Sequence, residues 1–230
     1  MQSDQKPNSL RRRVVVTGGS SGIGRAIAEA FADNGDQVTA TCLSESDLIA
    51  SRGLKPWHGN VTPAILDVTC LDQIDAFISS LESLDILVNA AGIIQRNGVE
   101  FTPDGFDRTL SVNLNAVMHM CLKSHKLLMA SQNQGGASII NIASMLSYFG
   151  SAFAPGYAAA KGGIVQLTKS LAAAWASDSI RVNAIAPGWI RTSLTAPLQA
   201  DEQRSRPILE RTPMGRWGLP EEVAPAAVFL

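Results

Sequence analysis

The chain has 230 residues, 46% hydrophobic and 17% charged, with a net charge of −1. This is enough apolar material for one well-buried globular domain, with no basic surplus to build a nucleic-acid face. Three scattered cysteines and three scattered histidines form neither a disulfide framework nor metal-ligand spacing, and no apolar run is long enough to cross a bilayer. The expectation is a cytoplasmic protein with no metal and no nucleic-acid or membrane partner.

Residues 1–13 read as a polar tail without the apolar centre of a secretory signal, and Arg11-Arg12-Arg13 as its solvated flank. The remainder, 14–230, reads as one domain. Val14–Thr17 is a short buried strand, and Ile23–Asn34 a helix ended near Gly35. Gln37–Cys42 is a second strand, followed by a short polar segment and a third strand, Ala64–Val68. Leu71–Leu81 has helical spacing, and Asp85–Asn89 is a fourth strand. Thr102-Pro103 gives an N-cap and a proline at the first helical position, opening a helix predicted to run to about Ala130. Ser138–Ala143, Pro155–Ala176 and Ile180–Ile185 read as strand, helix and strand, and Glu221–Leu230 as a last helix. Strands this apolar, separated by helices, predict a parallel sheet covered on both faces and right-handed crossovers: a doubly wound α/β fold.

Gly18, Gly22 and Gly24 fall at the turn from the first strand into the first helix. Such a turn either merely joins the two elements or lets a phosphate approach bare backbone at a helix N-terminus. Its place after the first strand of an α/β chain favours a dinucleotide pyrophosphate. Further along, Tyr157 and Lys161 stand one helical turn apart and share a face, where an ammonium would draw the phenol down from its ordinary pKa of about 10.

The glycine spacing in TGGSSGIG resembles the short-chain dehydrogenase/reductase family. So do NAAG at Asn89–Gly92, Asn113 in SVNLN, Ser144 placed ahead of Tyr157-Ala-Ala-Ala-Lys161, and APGWIRT at Ala186–Thr192. The match extends over nearly the whole chain. It implies a Rossmann-type oxidoreductase that moves a hydride between a nicotinamide and a secondary alcohol or ketone. By resemblance Tyr157 exchanges the proton, Lys161 binds the nicotinamide ribose, Ser144 positions the substrate oxygen, and Asn113 holds a water beside Lys161. The cofactor set implied is Gly18, Ser20, Ser21, Gly22, Ile23 and Gly24 at the turn, Cys42 and Leu43 after the second strand, and Asp67 and Val68 at the adenine. Asn89, Ala90 and Gly92 follow at the ribose, with Pro187, Gly188, Ile190 and Thr192 on the nicotinamide side, besides Tyr157 and Lys161. The family's NADP-type basic residues are missing at Ser21 and Leu43, so NAD is expected, although Cys42 is not the acidic residue that usually marks it.

Within the family, Gln95-Arg96, INIASMLSYFG and the segment from Ala200 resemble bacterial gluconate and 2-dehydro-3-deoxy-D-gluconate 5-dehydrogenases. A sugar acid is therefore the expected substrate. Arg96 either grips its carboxylate or is a solvated loop arginine. Met145, Phe149, Phe153 and Trp189 either wall the pocket or fill core; Met145 and Trp189 join Arg96, Ser144 and Tyr157 as the candidate substrate set. The alternatives are a 3-oxoacyl or other ketone reductase of the same fold, and a dinucleotide-binding protein without catalysis. The resemblance also implies a homotetramer, and a seventh strand with a VDGG-like segment that is absent up to Leu230; further chain beyond that point is the expectation.

Overall fold

A computed structural model describes residues 11–54 and 56–230; most of the expected tail, residues 1–10, lies outside them. The chain alternates β1 (Arg13–Thr17), α1 (Gly22–Asp33), β2 (Gln37–Cys42), α2 (Glu45–Leu54), β3 (Val61–Ile65), α3 (Leu71–Ser79) and β4 (Ile86–Asn89). It continues through α4 (Pro103–Leu110), α5 (Ala116–Met129), β5 (Ala137–Ile142), α6 (Pro155–Ala174) and β6 (Ile180–Ile185). Three shorter helices follow: α7 (Ala196–Gln199), α8 (Glu202–Glu210) and α9 (Pro220–Phe229). The strands form one parallel sheet in the order β3-β2-β1-β4-β5-β6.

Side-chain alternation divides the core in two. Val15, Leu87 and Ile139 point to the face covered by α3, α5 and α6, whereas Val14, Val16, Ile86, Val88 and Ile140 point to the face covered by α1 and α9. Both faces are buried, so the strands read as continuous apolar runs. The chain winds outward from β1 to β3, then returns to place β4 on the other side of β1. The crevice at the carboxyl ends of β1 and β4 is where this architecture holds ligands.

Four expectations need correction. β3 begins and ends three residues earlier than Ala64–Val68, with Pro63 inside it. An edge strand paired only with β2 tolerates a proline, and the apolar run after it had drawn the reading forward. The polar segment after β2 contains a full helix, α2, whose first turn carries Glu45 and Asp47. The long helix expected from Pro103 is broken at Ser111–Asn115 by a π-helical turn. Finally, Arg12 is not part of a solvated flank, whereas the Arg13 side chain stays 42% exposed. Arg12 donates to both carboxylate oxygens of buried Asp36 at 3.0 and 2.6 Å, and Arg13 opens β1 and pairs with Glu82.

The sheet ends at β3 and β6 among the described residues. Beside β6 lies an open groove of about 880 Å³, reaching the Gly135-Gly136 turn and Leu230. No described helix is long and apolar enough to cross a membrane.

Candidate active site

The turn after β1 is built from backbone. Gly18 and Gly22 have φ of +64° and +53°, which L side chains rarely adopt. A methyl group on Gly18 would stand 2.7 Å from the Ala91 Cα, and one on Gly24 only 2.3 Å from the Gly18 carbonyl oxygen. Helix α1 starts at Gly22, and Ser21 gives it no side-chain cap. The first N–H groups and the positive end of the helix dipole therefore face the crevice, with no acidic side chain in the first turn to oppose an anion.

From this turn a cleft of about 380 Å³ runs across the β1–β4 crevice to Tyr157 and Lys161. Gly18, Ser20, Ser21, Gly22, Ile23 and Gly24 line one end, Cys42, Leu43, Asp67 and Val68 the side, and Ala90, Gly92 and Thr192 the middle. A methyl group on Gly22 would touch the Thr192 side chain at 3.1 Å, so the segment after β6 closes over the turn. Burial pushes the Asp67 carboxyl up, but bonds from the Thr69 hydroxyl and amide, with the Arg108 charge, outweigh it and hold it below its ordinary value. Burial and the carboxylate of Asp47 push the Cys42 thiol up, so it is neutral at pH 7.

At the far end, Lys161 is 4% exposed and its Nζ donates to the Ile142 carbonyl at 2.6 Å. Burial pushes its amine down to about 8. Nζ stands 5.6 Å from the centre of the Tyr157 ring. The expected lowering of the phenol is reversed in this structure. Burial pushes Tyr157 up, the facing Ser144 hydroxyl pulls it down, and the Glu100 carboxylate pushes it up again. Ser144 is set by its own turn: its hydroxyl accepts from the Leu146 N–H at 3.1 Å, and Ser147 ties that turn to the Lys161 carbonyl at 2.7 Å.

Asn113 sits in the π-helical turn with no exposed surface. The extra residue of such a turn rotates a side chain inward, as at many functional sites. Its Oδ1 accepts from the Ile93 N–H at 2.9 Å, and its Nδ2 donates to the Ile93 carbonyl at 2.8 Å. The Asn113 side-chain amide is thus engaged with Ile93 and fixes the loop after β4. A methyl group on Gly92 would lie 2.9 Å from the Asn113 Oδ1 and 3.9 Å from the Lys161 Nζ, which shows how closely the three converge.

Other expected residues sit elsewhere. Asn89 turns into the core, where it donates to Asn141 at 2.9 Å; Asn141 in turn donates to Thr168 on α6. This places the Asn89 side chain between β4 and α6 instead of at a ribose. Trp189 packs edge-on against Trp217, 5.8 Å between centres, in a small cluster with Leu198 and Ile208 under α7 and α8, away from the cleft lining. Met145 donates its N–H to the Pro187 carbonyl at 3.0 Å, so the segments after β5 and β6 meet there, and Ile190 bridges to Gly218. A methyl group on Gly188 would meet open space. Phe149 and Phe153 are 64% and 69% exposed, neither core nor cleft wall. Arg96 donates to the Leu194 carbonyl, and Leu194 lines the cleft. Burial and the neighbouring Arg204 charge push the Arg96 guanidinium down, so two cations stand together here.

Sequence reading missed Glu100, Asp47 and Arg108. Asp47 and Arg108 line the cleft, from the unforeseen α2 and from α4. Glu100 had no signal, because nothing in VEFTP marks a glutamate as buried.

A model of the family described as enoyl-(acyl carrier protein) reductase matches residues 18–230. The chain is 38% identical over 224 residues to 2-dehydro-3-deoxy-D-gluconate 5-dehydrogenase of Bacillus subtilis, covering 95% of this chain and 87% of the relative. It is 37% identical to the 3-oxoacyl-[acyl-carrier-protein] reductase of Chlamydia pneumoniae, covering 95% and 89%. Among solved structures, a gluconate 5-dehydrogenase from Burkholderia cenocepacia in complex with NADP and tartrate superposes with a TM-score of 0.84 at 34% identity, covering 95% of this chain and 87% of that one.

Proposed function

The chain belongs to the short-chain dehydrogenase/reductase family and is a nicotinamide-dependent oxidoreductase; from that premise we propose that it oxidises a hydroxyl of a sugar acid, or reduces the matching ketone, with Tyr157 as its acid–base group. The observation that carries this reading is the single cleft lined by the glycine turn at one end and by Tyr157 and Lys161 at the other. Its glycine cradle, which a methyl group would fill, and the uncapped start of α1 suit a pyrophosphate. When bound there, the dinucleotide supplies the hydride acceptor for oxidation and the donor for reduction.

Tyr157 takes the hydroxyl proton of the alcohol, or gives a proton to the carbonyl oxygen in the reverse direction. Its raised phenol is protonated at neutral pH, the form reduction needs. Ser144 offers a hydroxyl to the same substrate oxygen. Lys161, titrating at about 8, gains and loses a proton near working pH and holds the nicotinamide ribose. Asn113 keeps the loop after β4 in place through Ile93. Tyr157→Phe should lower kcat by about 10³-fold while dinucleotide affinity changes little, as fluorescence titration would show. Retained turnover overturns the assignment.

For the cofactor, NADP is the better reading than the NAD expected from sequence. Cys42 puts no negative charge at the end of β2, and the Burkholderia relative carries NADP. Asp47, which lines the cleft along with Leu43, is the feature that favours NAD. Comparing kcat/KM for the two cofactors decides between them.

The sugar-acid reading rests on the Bacillus relative, on the tartrate in the Burkholderia structure, and on the paired cations Arg96 and Arg204. A carboxylate would relieve the repulsion between them. The Chlamydia relative favours a second reading, reduction of a 3-oxoacyl thioester. Faster turnover of such a thioester than of any hexonate would establish it. We also propose a homotetramer, supported by half-exposed Leu122 and Met129 on α5, and a cytoplasmic location, supported by three free thiols.

A further inference from the structure

Helix α6 carries Tyr157 and Lys161, yet its own sequence does not cap it. Its N-cap is Ala154, which has no side-chain acceptor, and its first residue is Pro155, which has no N–H. The Tyr157 N–H, third in the helix, is where a capping side chain normally bonds. Glu100 supplies that bond from 57 residues upstream: its Oε2 accepts from the Tyr157 N–H at 2.9 Å. Its Oε1 accepts from the Gln95 N–H at 2.9 Å, and the residue is 1% exposed. Two oxygens that both accept are what an ionised carboxylate presents, and a helix N-terminus is a favourable place for its charge. Gly156 lies against it: a methyl group there would reach van der Waals contact with Oε2 at 3.4 Å.

We propose that Glu100 is a positioning residue for the reaction: its carboxylate caps the catalytic helix, binds the Gln95-Arg96 loop to the same anchor, and places a negative charge at the backbone N–H of Tyr157. This rests on the reading of Tyr157 given above. Around the phenol, α6 contributes Lys161, the strand end after β5 contributes the uncharged Ser144, and the turn before α4 contributes Glu100. Helix α4 turns Thr109 and Phe106 toward Gly156, while its Arg108 faces Asp67 across the cleft. The Glu100 charge disfavours the phenolate, in keeping with the upward push on Tyr157.

The chain has two tyrosines, so Tyr148→Phe, at an exposed position, leaves Tyr157 as the sole phenol. In that background its ionisation can be followed directly by tyrosinate absorbance. Glu100→Gln should lower the midpoint by about half to one pH unit, and the rising limb of the oxidation pH profile should move down with it. Glu100→Asp, which keeps the charge, should restore the midpoint. An unchanged midpoint in Glu100→Gln overturns the proposal. If the midpoint moves but Tyr157→Phe retains turnover, the charge effect stands and the acid–base reading of Tyr157 falls instead. In the unsubstituted chain, which needs no variant to fold, amide exchange at Tyr157 and Gln95 should be slowed more than about tenfold relative to free peptide. Unprotected amides overturn the cap.

Discussion

The two ends of the cleft are made differently. The end at β1 is backbone: glycines in left-handed conformation, a carbonyl under Gly24, and the bare N–H groups of α1. The end at α6 is built on side-chain hydrogen bonds: Asn113 to the Ile93 backbone, Glu100 to the Tyr157 and Gln95 N–H groups, and Arg96 to the Leu194 carbonyl. A backbone site recognises what every dinucleotide shares, whereas a side-chain site can be altered one residue at a time. Binding and chemistry should therefore separate under mutation.

The largest separation is expected at Lys161. Lys161→Met should cost about 10²- to 10⁴-fold in kcat with the glycine end intact, measured at saturating cofactor. The same variant tests burial. Lys161 titrates at about 8 in the fold against 10.5 ordinarily, so between those values the unfolded chain holds more protons. Stability due to this residue should then rise with pH across that window. Urea midpoints should show the rise in the parent chain and lose it in Lys161→Met; parallel curves refute it.

Next is Gly18→Ala, which adds a methyl group 2.7 Å from Ala91 in a backbone conformation alanine resists. Cofactor affinity should fall about a hundredfold and Tm by several degrees, with kcat at saturation nearly unchanged. A kcat that collapses along with affinity would erase the division between the ends. The smallest effect is expected from Arg96→Ala: KM for hexonates should rise about tenfold and KM for uncharged polyols should stay level. Equal changes for both would remove the carboxylate role.

The same division decides what could be read from sequence. The β1 turn was legible because glycine spacing after a strand encodes backbone geometry locally, and Tyr157 with Lys161 because helical periodicity puts them on one face. β3 slipped because the apolar residues after Pro63 run on past the end of the paired strand. The π-helical turn was invisible because the Asn113 pairing with Ile93 that accompanies it spans 20 residues. Glu100 was unreadable for the same reason: only the assembled fold brings a loop glutamate under an uncapped helix. Asn89, a residue type common in binding sites, turns its side chain into the core, and Trp189 packs on Trp217 in a small peripheral cluster.

The pairing of β1 with β4 joins Val14 to Ile86, across about 70 residues of intervening chain. On a ribosome, β1, β2 and β3 would emerge with one edge of β1 still unmatched until β4 follows. That seam is the last of the first four strands to close, and the glycine turn and Ala90 stand at its end. A dinucleotide laid over the seam touches both the early and the late parts of the sheet, so its binding stabilises the closed seam by mass action.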